Sequence, residues 1–174
     1  MSADTNKSIP IEHCLVRYEE IEARKAHFRP RDMVLPRFER ERFTILGRPG
    51  ESNNPALAAL ANEHFTMVCI RAEPGKGFAS HSHDTAEAFV VMAGQWECVI
   101  GDESVIVGPF DTVVVPEGVF HSLTNIGDVT GVTMAINAGG AGAPIRLDPK
   151  VLKELATAGV DVSSDVEFPP GAKN

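Results

Sequence analysis

The stretch from Gly75 to Gly94, "GKGFASHSHDTAEAFVVMAG", decides how the rest of the chain is understood. His81 and His83 stand one residue apart, and Glu87 follows four residues later. On a β-strand, side chains at i and i+2 point to the same face, so the two imidazoles project together. "DTA" (84–86) reads as a tight connection into a second strand, on which Glu87, Phe89 and Val91 share one face. If that face lines a barrel interior, the carboxylate comes in beside the imidazoles, and Phe89 and Val91 make the pocket largely apolar. A third imidazole lies downstream. "PEGVFHSLTN" (116–125) places His121 after a Pro-Glu-Gly turn, with His121, Leu123 and Asn125 on one face. Three imidazoles and a carboxylate suit a divalent first-row metal: iron, manganese, nickel, copper or zinc. A structural zinc site would be closed and cysteine-rich instead.

Around these stretches the chain is a series of short segments rich in valine and isoleucine: "FTMVCIRA", "AEAFVVMAG", "QWECVIG", "ESVIVG", "DTVVVP" and "VTGVTMAI". Turn signals separate them, among them a hairpin turn at "GDE" (101–103). This rhythm predicts an all-β antiparallel sandwich or barrel, and no long helix intervenes for a parallel crossover. The barrel is expected over residues 61–140. Residues 1–60 form an N-terminal extension of short helices and proline-broken loops, with helices expected over 12–28 and 54–65, the second capped by Asn54 with Pro55 at its first position. Residues 141–174 open on a glycine-rich joint and hold a short amphipathic helix, "DPKVLKELATAG", capped by Asp148 and ended by Gly159.

Taken together, the two histidine-bearing stretches resemble the paired motifs of the cupin superfamily. Gly75–Gly94 meets every spacing of G-x5-H-x-H-x3-E-x6-G, and Pro116–Asn125 meets P-x-G-x2-H-x3-N. One position departs: the glycine that opens the second motif would fall at Phe110, whereas this chain has its glycine at Gly108. The resemblance implies a double-stranded β-helix (jelly-roll) barrel with His81, His83, Glu87 and His121 as metal ligands. It also implies a homodimer in which the N-terminal segment packs on the partner barrel.

Composition narrows the function classes. The 174 residues carry a net charge of −8. That disfavours a nucleic-acid backbone or an anionic membrane surface, both of which need a positive face. Eight of the sixteen basic residues fall between Arg24 and Arg48, interleaved with Glu39 and Glu41, and read as a solvated or subunit-contacting face. Three cysteines, Cys14, Cys69 and Cys98, form no CxxC pair and fit reduced thiols in the cytoplasm. There is no leader-like apolar segment at the start and no run long enough to span a bilayer.

The expected function is a metal-dependent enzyme acting on a small organic molecule inside the barrel. Fe(II) and dioxygenase-like oxidation are favoured. The alternatives are a non-redox isomerase, lyase or decarboxylase, and a small-molecule sensor without turnover. No catalytic residue beyond the ligands can be named. Arg71 is open between steering a substrate carboxylate and plain exposure. Trp96 is expected in the core and Asn125 in backbone hydrogen bonds. His13, His27 and His64 are left out of the site.

Overall fold

The computed structural model describes residues 10–11, 14–22, 35–47, 60–61, 64–139 and 145–160. Its strands are β1 (Glu41–Gly47), β2 (Leu60–Ala61), β3 (Phe65–Ala72), β4 (His81–Ser82), β5 (Glu87–Ala93), β6 (Trp96–Ile100), β7 (Glu103–Val107), β8 (Thr112–Val115), β9 (His121–Asn125), β10 (Gly131–Ala138) and β11 (Arg146–Leu147). Two helices flank them, α1 (Tyr18–Glu22) and α2 (Pro149–Thr157). The larger sheet runs β2-β1-β3-β10-β5-β8 and the smaller β11-β4-β9-β6-β7. From β3 onward the chain passes back and forth between the sheets, and β7 to β11 each lie beside a strand laid down earlier. That alternation is the double-stranded β-helix, as expected.

Alternation within each strand builds the core. Val68, Ile70 and Ala72 from β3 and Phe89 and Val91 from β5 meet Trp96 and Cys98 from β6 and Leu123 from β9. Phe78, in the loop before β4, fills the centre, with ring centroids 5.6 Å from Phe89 and 6.1 Å from Trp96. Burying each such large apolar side chain contributes about 1.5–3 kcal/mol. Trp96 is fully buried, and its indole N–H donates to the Ala93 carbonyl at 3.1 Å, so its one polar atom is satisfied. Cys69 and Cys98 are buried and Cys14 is exposed. Burial pushes the Cys98 thiol up to about 11, which keeps it protonated and unreactive.

The C-terminal helix forms as its sequence dictates. The Asp148 carboxylate accepts from the Lys150 N–H at 2.8 Å, Pro149 opens the first turn, and Gly159 follows the last with φ +78°. Val151 and Leu155 pack on Phe38, Ala79 and Leu147 in a second apolar cluster. Arg37 and Glu154 form an ion pair beside it. The helix is thereby fastened to the end of the barrel next to β4.

The N-terminal region differs from expectation. Glu41–Gly47, in a stretch read as loop, is a strand paired antiparallel with β3 along its length. Arg42 and Thr44 alternate with Phe43 and Ile45, which pack with Cys69 on the outer face of the sheet. Leu60–Ala61, expected within a helix, is extended and pairs in parallel with Leu46–Gly47. Strand pairing there outweighs the alanine-rich helical preference of the segment. Of the helix expected over 12–28, Tyr18–Glu22 is helical, residues 14–17 are not, and 12–13 and 23–28 lie outside the described residues. Residues 54–59 also lie outside them.

At Phe110, where the motif would have glycine, the backbone adopts φ +73°, the one positive φ of a non-glycine among the described residues. The tight turn between β7 and β8 keeps a glycine-like conformation with a side chain that disfavours it, a strain on the order of 1–3 kcal/mol. The ring itself is exposed. The turn is held by the Phe110 N–H to the Val91 carbonyl at 2.8 Å and by the Gly108 N–H to the Asp111 carboxylate, also at 2.8 Å.

Candidate metal centre

Four side chains from four places in the chain converge inside the barrel. His81 lies on β4 and His83 just beyond it, Glu87 opens β5, and His121 opens β9. Register brings them together: His81 pairs across the sheet with His121. The Gly118 N–H donates to the His83 carbonyl at 2.7 Å, pinning the Pro-Glu-Gly turn to the first motif. All four residues are buried, and their ligand atoms lie within 4.8 Å of one another. Among the described residues they are the one group of His, Cys, Asp and Glu so placed. His64 is exposed and outside the group; His13 and His27 fall outside the described residues.

The electrostatics fit a shared cation. The His81 Nδ1 lies 2.7 Å from the Ala79 carbonyl, and the His121 Nδ1 lies 3.0 Å from the Val119 carbonyl. A carbonyl only accepts, so each Nδ1 carries the proton and each Nε2 turns a lone pair inward. Those inward atoms meet a carboxylate: Glu87 Oε2 is 2.8 Å from His121 Nε2, 3.1 Å from His83 Nε2 and 4.0 Å from His81 Nε2. Lone pairs gathered round an anion repel unless a cation stands between them, and a divalent metal fits that demand. Burial, followed by the neighbouring His121, holds His81 well below the usual histidine range, so its imidazole is neutral and able to ligate. Burial alone would push the Glu87 carboxyl up, but the adjoining His121 and His83 imidazoles, and then His81, outweigh it and hold it at about 2.

Asn137 completes the cluster, and sequence reasoning did not find it. It pairs with Glu87 across β10 and β5. Its Nδ2 donates to Glu87 Oε1 at 2.8 Å. One carboxylate oxygen is thus held by the amide while the other faces the imidazoles. Such an outer contact sets ligand orientation. Asn137→Leu keeps the side-chain volume and removes the bond. Metal affinity, measured by chelator competition, is expected to fall roughly 10- to 100-fold with the strands intact; an unchanged affinity would deny Asn137 this positioning role.

The cluster opens on a cavity that reaches solvent. Val68, Ile70, Phe78 and Ala135 give it apolar walls, and Arg40 and Arg42 line it as well. Phe89 and Val91 face inward as expected but are packed in the core; the walls come mainly from β3 and the Phe78 loop. Arg71 lies elsewhere: it pairs with Glu41 at 2.5 Å and sits over the Phe43 ring on the outer face. Asn125 is structural, donating to the Ala72 and Val129 carbonyls at 2.9 and 2.8 Å and accepting from the Gly127 N–H at 3.0 Å. Among the described residues, no helix is long and apolar enough to cross a membrane.

Comparison with known proteins agrees with the fold. Several solved structures are similar to this chain. One is a putative sugar phosphate isomerase from Acidithiobacillus ferrooxidans, 20% identical, covering 79% of this chain and 83% of its own, with a TM-score of 0.55. Another is the DMSP lyase DddQ from Ruegeria pomeroyi, 19% identical, covering 70% and 56%, at 0.54. A third is the polyketide cyclase RemF from Streptomyces resistomycificus, 17% identical, covering 63% and 70%, at 0.50. At these identities the likeness is one of fold, and one fold carries different chemistries. No curated protein matches the sequence. The family model that matches is that of the cupin domain, over residues 68–137, the part of the chain that forms the barrel.

Proposed function

We propose that the chain is a metal-dependent enzyme that acts on a small organic molecule in the barrel cavity, with Fe(II) as the metal and dioxygenase-like oxidation as the reaction. The observation that carries this reading is the buried His81, His83, Glu87 and His121 cluster facing one apolar cavity. The donor set is imidazole and carboxylate with no thiolate, which suits Fe(II). When bound, such an ion supplies redox and Lewis-acid chemistry, with positions left open for small ligands. The protein's own part is positional. Carbonyls of Ala79 and Val119 fix two imidazole tautomers, Asn137 fixes the carboxylate, and Val68, Ile70 and Phe78 keep bulk water from the reacting end of a bound molecule. Excluding water strengthens each of these interactions.

The test is to load the protein with Fe(II) without air and follow oxygen uptake with small aromatic and keto acids. Uptake that requires both iron and substrate is expected. If iron supports none while manganese, nickel or zinc supports turnover, the chemistry is Lewis-acid isomerisation, decarboxylation or elimination instead. Release of a small molecule unchanged from the purified protein, with no turnover under any metal, would make the chain a binding module.

A further inference from the structure

We propose that Arg40 and Arg42 are the anion-recognising rim of the metal cavity and that the substrate is a small carboxylic acid, its carboxylate held by these guanidinium groups and its reacting end at the histidine cluster. This rests on the metal-centre reading above. Arg42 stands opposite Ile70 and Thr44 opposite Val68 across β1 and β3. Directly opposed residues point to the same face, and Ile70 and Val68 point into the barrel core. Arg42 therefore faces inward, where an apolar residue would be the structurally neutral choice. Arg40, two residues earlier, follows the same side. Its guanidinium lies 5.2 Å from the centre of the buried Phe78 ring, and its Nη1 donates to the Phe38 carbonyl at 2.8 Å. That contact anchors the group at the cavity.

Both arginines line the same cavity as His81, His83, Glu87 and Asn137, and both are partly exposed, so they stand where it meets solvent. Arginine's planar fork matches a carboxylate through two parallel N–H donors. In a chain of net charge −8, two cations on the wall of one apolar cavity break the local pattern, as functional sites do. The Asn137 Oδ1 adds an acceptor: its Nδ2 is committed to Glu87, and the oxygen is buried with no hydrogen-bond partner of its own.

The probes are succinic and adipic monohydroxamates, which put a metal-binding hydroxamate at one end and a carboxylate at the other, and their terminal carboxamide counterparts, equal in shape but neutral. Binding is read from the visible bands of the Co(II)-loaded protein. At least one carboxylate probe is expected to bind roughly 10- to 100-fold tighter than its amide. That preference is expected to collapse to within about twofold in Arg42→Gln, whose Co(II) content and band in the absence of probe match wild type. Equal affinities for acid and amide in wild type at both lengths, or a preference unchanged in both Arg42→Gln and Arg40→Gln, would overturn the arginine rim and leave the metal centre standing. Failure to take up Co(II) at all would overturn the metal centre and this inference with it.

Discussion

His121→Ala is expected to leave the purified protein, after anaerobic loading and desalting, with less than about a tenth of the wild-type metal, a larger loss than outer contacts produce. The reason lies in where His121 stands. It is fully buried, its Nδ1 is held by the Val119 carbonyl, and its Nε2 makes the shortest contact to Glu87 Oε2, 2.8 Å. Removing the imidazole takes away a donor and also the strongest of the contacts that hold the Glu87 carboxyl at about 2. Burial then acts with less opposition and raises that pKa, which weakens a second ligand. Elemental analysis checks the result, with the exposed His64→Ala as a control that keeps its metal. A His121→Ala protein still carrying a full equivalent would mean that this imidazole is no ligand.

The same cluster sets a pH dependence whose sign follows from the shifts. His81 is neutral in the fold, with its pKa well below the ordinary 6.5, so as pH falls through about 6.5 the unfolded chain takes up a proton that the native state refuses. Glu87, lowered from 4.5 to about 2, adds stability above 4.5 that is lost as pH falls toward 2. The metal-free protein is therefore expected to lose thermal stability steadily below pH 6.5. Metal, whose binding needs neutral imidazoles, should be released within the same range.

How far this was legible in the sequence depends on the range of the signal. The ligands were, because His81, His83 and Glu87 sit within one turn of two short strands and the Pro-Glu-Gly turn marks His121. The strands from Phe65 to Ala138 were, because alternation and turn residues are local. β1 was not. In "ERFTILG" the inward face carries Arg42 and Thr44, so the apolar alternation survives only as Phe43 and Ile45 on the outer face. Charge at Arg40 and Arg42 that read as solvated surface is charge at a cavity, and only the pairing of Arg42 with Ile70 reveals it. Asn137 carries no local mark at all: its role exists because β10 and β5 pair in the register that sets it against Glu87.

That dependence of the site on register makes Gly77→Ala the second large effect to expect. Gly77 bridges to Thr124, and the next residue, Phe78, donates its N–H to the Leu123 carbonyl at 2.8 Å. The loop carrying the first histidines thus lies directly on the strand carrying the third. A Cβ at Gly77 would stand 1.9 Å from the Leu123 carbonyl oxygen and 2.8 Å from the Thr124 Cα, both backbone atoms with no rotamer to yield. β9 cannot retreat, since β4 and β6 pair with it on its two sides and Leu123 is fully buried in the core. The loop must move instead, drawing Phe78 from the core centre and His81 away from His121. A destabilisation of about 3 kcal/mol is expected, seen as a Tm lower by about 6–12 °C, together with weaker metal binding. Gly108→Ala is the matched control. A Cβ there meets nothing within 4 Å and the backbone is not in the left-handed region, so the change should stay within about 0.5 kcal/mol. Equal melting of Gly77→Ala and wild type would show that the loop and β9 are not in this close contact, and with it would go the reason that His81 and His121 meet.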